Sequence, residues 1–201
     1  AQQSLAEAPA HVAVVASLRR SSQRPDLCEL GCQLLARAAR HHTENAACFV
    51  RAGACGVVCL TMERHYGDKD LQRSGLLAIA YLAHCGGGAV PAAEANALRI
   101  ALRAMAAHRS SPSVQINGCE VLRCLAELAD APLDELAEAA QQAKRAFPED
   151  QAVHRAAGFV LSFAVPRSAA AIGSLMDSGM ADETVQRNGI CSLGHLAGHG
   201  G

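Results

Sequence analysis

Apolar residues recur along this chain at intervals of three and four, the spacing of one face of an α-helix. The pattern then repeats on a longer scale. Five segments align without gaps: LCELGCQLLARAAR from Leu27, LQRSGLLAIAYLAH from Leu71, VQINGCEVLRCLAE from Val114, VHRAAGFVLSFAVP from Val153 and VQRNGICSLGHLAG from Val185. Each opens on an apolar residue and continues with a polar one, Gln in three of the five. The fifth position is small, namely Gly31, Gly75, Gly118, Ala157 and Gly189, and the ninth is apolar, namely Leu35, Ile79, Leu122, Leu161 and Leu193. Glycine inside a helix costs about 1 kcal/mol against Ala. Its return at one register predicts a place where a neighbouring helix passes too close to admit a Cβ.

Shorter helices are expected between these copies. Asn45–Arg51, Gly53 and Gly56–His65 read as a short helix, a tight corner and a second helix, with Asp68 and Asp70 placed to cap the next long one. The same order is traced through Val90–His108, with a break at Ser110–Pro112, although no glycine marks the corner. It is looser in Pro132–Phe147, with a break at Pro148. Residues 166–180 give its most compact version. The predicted units are 26–65, 66–108, 109–147 and 148–180, preceded by the end of an earlier repeat or a cap (1–25) and followed by the start of a truncated repeat (181–201). The pattern is cut at both ends, so the segment is expected to belong to a longer array.

Composition supports helices throughout. Half the residues are apolar, aromatics make up 3% and Trp is absent. Closely stacked helices can be filled by Ala, Leu, Val and Cys, whereas a single large core draws more on aromatic bulk. With 18 Lys and Arg against 19 Asp and Glu, the chain lacks the basic excess that nucleic-acid binding needs. Nine cysteines, mostly at apolar helical positions and without a CxxC pair, fit small buried thiols in a reducing compartment. No apolar run is long enough to span a bilayer. The cytoplasm is the expected location, with the nucleus as a second compartment.

Three helices per unit, a period near forty residues and the string VQINGCEVLRCLAELA resemble the armadillo repeat. The matching residues are Val114, Gln115, Gly118, Leu122 and Leu125, and again Val185, Gln186, Gly189, Leu193 and Leu196. The stretch ENAACFVRAGACGVVCLTMERH resembles the family's first two helices through Asn45, Val50 and Gly53. The two-helix HEAT repeat is the related alternative. The resemblance implies an all-α, right-handed superhelical α-solenoid of about four to five repeats, with the third helices lining a concave side. Such units bury their apolar faces only against each other.

In armadillo proteins such as importin-alpha and β-catenin, the third helix presents residues to an extended peptide. Transferred by register, the two presenting positions fall on Gln33 and Arg37, Leu77 and Tyr81, Glu120 and Cys124, Phe159 and Phe163, and Cys191 and His195. None is the Trp or Asn that importin-like proteins carry there, so capture of a basic localisation peptide in that manner is not expected. Tyr81, Phe159 and Phe163 are candidate anchors for apolar side chains, and the two phenylalanines, one turn apart, are equally candidates for core.

The pairs Cys28/Cys32, Cys55/Cys59 and His195/His199 share a helical face but lack the four ligands of a structural zinc site. Gly86–Gly88 is not followed by the Lys-Ser/Thr of a phosphate loop, and no nucleophile elbow or kinase signature occurs. No catalytic residue, metal or cofactor is expected. Two functions remain. One is a protein-interaction scaffold that binds a peptide or protein along its third helices. The other is a regulatory or architectural arm that contacts other domains of its own longer chain, or a cytoskeletal or ciliary assembly.

Overall fold

A computed structural model describes residues 10–85, 87–126 and 131–164. Among them lie ten α-helices and no strand: α1 (Ala10–Arg20), α2 (Pro25–Ala39), α3 (Thr43–Arg51), α4 (Ala54–Arg64), α5 (Lys69–Cys85), α6 (Ala89–Glu94), α7 (Ala97–Ala107), α8 (Pro112–Leu125), α9 (Leu133–Ala146) and α10 (Gln151–Ala164). The first four long segments found in the sequence are α2, α5, α8 and α10. The fifth, from Val185, lies outside the described residues, as does the compact 166–180 stretch.

The long helices start where the sequence supplies acceptors for free N–H groups. Asp68 Oδ1 accepts from the backbone N–H of Asp70 and Leu71 at 3.1 and 3.0 Å. Asp150 does the same for Ala152 and Val153 at 2.9 and 3.1 Å, and Ser111 Oγ accepts from Val114 N at 3.4 Å. Pro25 and Pro112 occupy first-turn positions where no N–H is needed.

Helix α2 packs on α5, α5 on α8, and α8 on α10. The apolar ninth position is buried in all four described copies, with Leu35, Leu122 and Leu161 at 0% exposure and Ile79 at 1%, and the first position is buried in the last three, where Leu71, Val114 and Val153 are 0% exposed. The small fifth position is where a preceding helix comes closest. A Cβ on Gly75 would lie 2.6 Å from Met62 Cγ, one on Gly118 would lie 2.5 Å from Met105 Cγ, and one on Gly31 would run into Leu18. Leu18, Met62 and Met105 each stand thirteen residues before their glycine, so the same contact is made three times.

A second contact repeats beside it. Buried Gln72 donates from Nε2 to the carbonyls of Met62 and His65 at 2.8 and 3.1 Å. Gln115 donates to those of Met105 and His108 at 2.9 and 3.2 Å. In both cases one amide closes the C-terminal end of the helix before it, where backbone acceptors lack internal partners. Cys28 takes this position in the first copy, and its thiol donates to Ser21 O at 3.3 Å. His154 takes it in the fourth, where its buried Nε2 has no hydrogen-bond partner among the described residues.

The corners differ from the expectation in an informative way. Gly53 turns the chain between α3 and α4 with φ +82°. The next unit, which lacks a corner glycine, turns at Asn96 with φ +60°. Asparagine is among the few residues with a side chain that enter this left-handed region readily, so α6 and α7 are joined through a left-handed residue as α3 and α4 are. Further on, α9 runs unbroken for 14 residues, and the described part of that unit has one helix before α10, not two.

Lateral bonds tie successive units at constant separation. His65 Nε2 bonds to Ser22 O at 2.9 Å and His108 Nε2 to Tyr66 O at 3.0 Å. Asn117 Nδ2 donates to Arg73 O at 2.9 Å, and Cys124 Sγ approaches Ala80 O at 3.9 Å. The last two pairs share an offset of 44 residues, so α5 and α8 lie parallel and in register. On α2 the apolar side chains of Leu27, Leu30 and Leu34 are 41%, 60% and 48% exposed. The residues equivalent to Leu27 and Leu34 on the later long helices, Leu71, Val114 and Val153 and Ala78, Val121 and Val160, are buried.

Candidate binding groove

Because α2, α5 and α8 run in register, residues at matching positions of each copy line up across the helices. A groove of about 440 Å³ runs along this face. Its lining comes from Gln33, Ala36 and Arg37 on α2 and Arg40 just past its end, from Arg73, Ser74, Leu77 and Tyr81 on α5, and from Ser113, Ile116 and Asn117 on α8. Four of the sequence-predicted positions, Gln33, Arg37, Leu77 and Tyr81, are thus brought together.

The remaining candidates are placed differently. Glu120 and Cys124 are half-buried on α8 and do not line this groove. Glu120 pairs with Arg123 at 2.9 Å on its own helix. On α10 the aromatic pair divides: Phe163 packs against the core, while Phe159 is 50% exposed. Cys191 and His195 lie outside the described residues.

Arg40, Arg73, Ser113 and Asn117 were not singled out from the sequence, and they change the character of the site. Three guanidinium groups now meet a chain of net charge −1. Arg37 is exposed and makes no ion pair among the described residues. Arg40 Nε donates to His41 Nε2 at 3.1 Å. Arg73 reaches Glu29 at 3.3 Å and Asp70 at 3.7 Å, long for charge-assisted contacts, which close to about 2.7–2.9 Å. Leu77, Tyr81 and Ile116 are half-buried and give the groove apolar ground among these polar groups.

The cysteines are elsewhere. Burial pushes the thiols of Cys32, Cys59 and Cys119 up to about 12 and that of Cys55 up to about 11, so near neutral pH they hold their protons and are poor nucleophiles. Among the described residues, no three His, Cys, Asp or Glu side chains are gathered where they would hold a metal ion. No single helix there is long and apolar enough to cross a membrane.

No family model and no curated protein matches the sequence. The fold is similar to that of an engineered protein whose crystal structure was determined by the Northeast Structural Genomics Consortium. The two superpose with a TM-score of 0.67 at 18% sequence identity, over 92% of this chain and 78% of that one. The likeness is one of fold alone. It accords with an all-α chain of ten described helices.

Proposed function

We propose that this chain is an armadillo-type α-solenoid that binds an extended segment of a protein partner along α2, α5 and α8. The reading is carried by one observation: three successive long helices contribute to a single groove that mixes apolar ground with polar side chains, α2 and α5 through the matching pairs Gln33/Leu77 and Arg37/Tyr81, α5 and α8 through Arg73/Ile116 and Ser74/Asn117. An extended peptide rises about 3.3 Å per residue with alternating side chains. It therefore suits a surface whose features repeat from helix to helix. The 42–44-residue offset of the lateral bonds supports the repeat, and the sequence resemblance to armadillo units supports the armadillo-type reading of it.

The test is selection from a random peptide library against the chain, followed by binding measurements on Tyr81→Ala, Arg37→Ala and the distant control Leu60→Ser. Leu60 is 68% exposed on α4, away from the groove. Selected peptides should lose affinity with the first two changes and keep it with the third. Peptides indifferent to Tyr81 and Arg37, or lost with Leu60→Ser, would refute the groove as the binding surface.

A further inference from the structure

We infer that the groove selects acidic segments: peptides carrying several Asp or Glu residues interspersed with apolar ones. This rests on the groove reading above and adds the chemistry of the ligand. The lining contains three arginines and no carboxylate, although acids slightly outnumber bases in the chain as a whole. Glu29 and Asp70 lie beside Arg73, whereas Arg37 and Arg40 have no carboxylate partner among the described residues, so the lining itself carries an excess of positive charge.

The spread of that charge says what it fits. Arg73 occupies the position equivalent to Glu29, and the two are paired across the 44-residue offset. Measured along α2, the Glu29 level lies eight residues before Arg37 and eleven before Arg40. At about 1.5 Å of rise per residue the guanidinium anchors span roughly 12–16 Å. That is about the length of four or five residues of extended chain, which can follow the groove as it slants from the C-terminal half of α2 across α5 to the start of α8, so the cations match separate carboxylates better than one compact anion. Planar guanidinium groups suit this task because they receive carboxylates two-pronged. Arg37 makes no ion pair among the described residues, and Arg73 holds its acids loosely at 3.3 and 3.7 Å, so an incoming carboxylate has cations to engage. Leu77, Tyr81 and Ile116 then take the apolar residues between the acids.

The experiment uses the full chain and four labelled probes in fluorescence anisotropy. Three are ten-residue peptides with the same two Leu and one Phe, their polar positions filled by Glu, Gln or Lys; the fourth is an oligonucleotide of equal negative charge. The Glu probe should bind about tenfold more tightly than the Gln probe, the sum of a few exposed ion pairs. The advantage should shrink as salt rises from about 50 to about 300 mM. Arg37→Glu combined with Arg40→Glu should remove that advantage while the helical circular dichroism is unchanged, and Arg37→Lys should retain part of it. If the Gln and Lys probes bind as well as the Glu probe and remain sensitive to Tyr81→Ala, the acidic preference is wrong and the groove reading stands. If the Glu probe fails to bind, if its binding ignores the charge reversal, or if the oligonucleotide binds equally well, the inference is overturned.

Discussion

Gly118 offers the sharpest test of how these helices meet. A Cβ added there would stand 2.5 Å from both Cγ and Sδ of Met105, and Met105 is itself only 3% exposed. Two effects oppose each other in Gly118→Ala. Alanine favours the helical backbone by about 1 kcal/mol. Displacing Met105 within packed surroundings costs about 1–3 kcal/mol. The net expectation is a destabilisation of roughly 0–2 kcal/mol, rising above about 2 for the bulkier Gly118→Leu. Gly158 on α10 is the internal control, because a Cβ there meets nothing within 4 Å among the described residues. Gly158→Ala should stabilise by up to about 1 kcal/mol, which separates the two glycines by about 1–3 kcal/mol. Removing the obstruction completes the argument. Met105→Ala alone costs about 2–5 kcal/mol, but in its background Gly118→Ala should become favourable. Urea unfolding followed by far-UV circular dichroism gives each free energy by linear extrapolation. Should Gly118→Ala stabilise as much as Gly158→Ala, or respond identically with and without Met105, the close approach is not what the glycine serves.

Three further outcomes follow from the contacts. His154→Gln should stabilise the chain by about 0.5–1.5 kcal/mol, since an amide there can reach the carbonyls of Lys144 and Phe147 as Gln72 and Gln115 reach theirs; an unchanged midpoint in urea would contradict this. Asn96→Ala should cost about 1–2 kcal/mol for its left-handed backbone and Asn96→Gly little or nothing, so equal losses in thermal melts would show that the side chain and not the dihedral matters. Cys32, Cys59 and Cys119 have thiols raised from 9.0 to about 12, so the folded state holds these protons more tightly than the unfolded one. Their contribution to stability is full below about pH 9 and is lost as pH climbs towards 12. Alkylation followed by mass spectrometry should accordingly mark half-buried Cys48 and Cys85 before these three, and early modification of Cys119 would count against its burial.

Much of the fold was legible because the repeated helices satisfy the same constraints each time. The register of small and apolar residues located α2, α5, α8 and α10, since a glycine under Leu18, Met62 or Met105 is required by sterics and little else explains it. The corner at Asn96 is not marked in the sequence, because a residue with a side chain can enter the left-handed region without carrying the signal that Gly does, as His41 and Asn96 both show. The unbroken α9 escaped because its polar and apolar positions fit one helix as well as two. For the groove, register identified four lining residues but considered only two positions per copy. Arg40 lies one turn beyond Arg37, and Arg73 and Asn117 sit two and three positions after the opening apolar residue of their copies. These were visible in the sequence, yet their convergence depends on the parallel packing of α2, α5 and α8. Phe159 and Phe163 divide between solvent and core by their angular places on α10, which spacing alone does not resolve.

The lateral bonds described above join residues 42–44 positions apart, and this constancy has a bearing on how the molecule comes undone. Every such bond closes the same length of chain, so the entropy lost in forming one does not grow with distance along the protein. Order can then spread from neighbour to neighbour without waiting for remote ends to meet. Helix α5, clasped by α2 on one flank and α8 on the other, should keep its amide protons longest in hydrogen exchange. Helix α1, with neighbours on its downstream side alone among the described residues, should surrender its own early, and melting should advance inward from that edge.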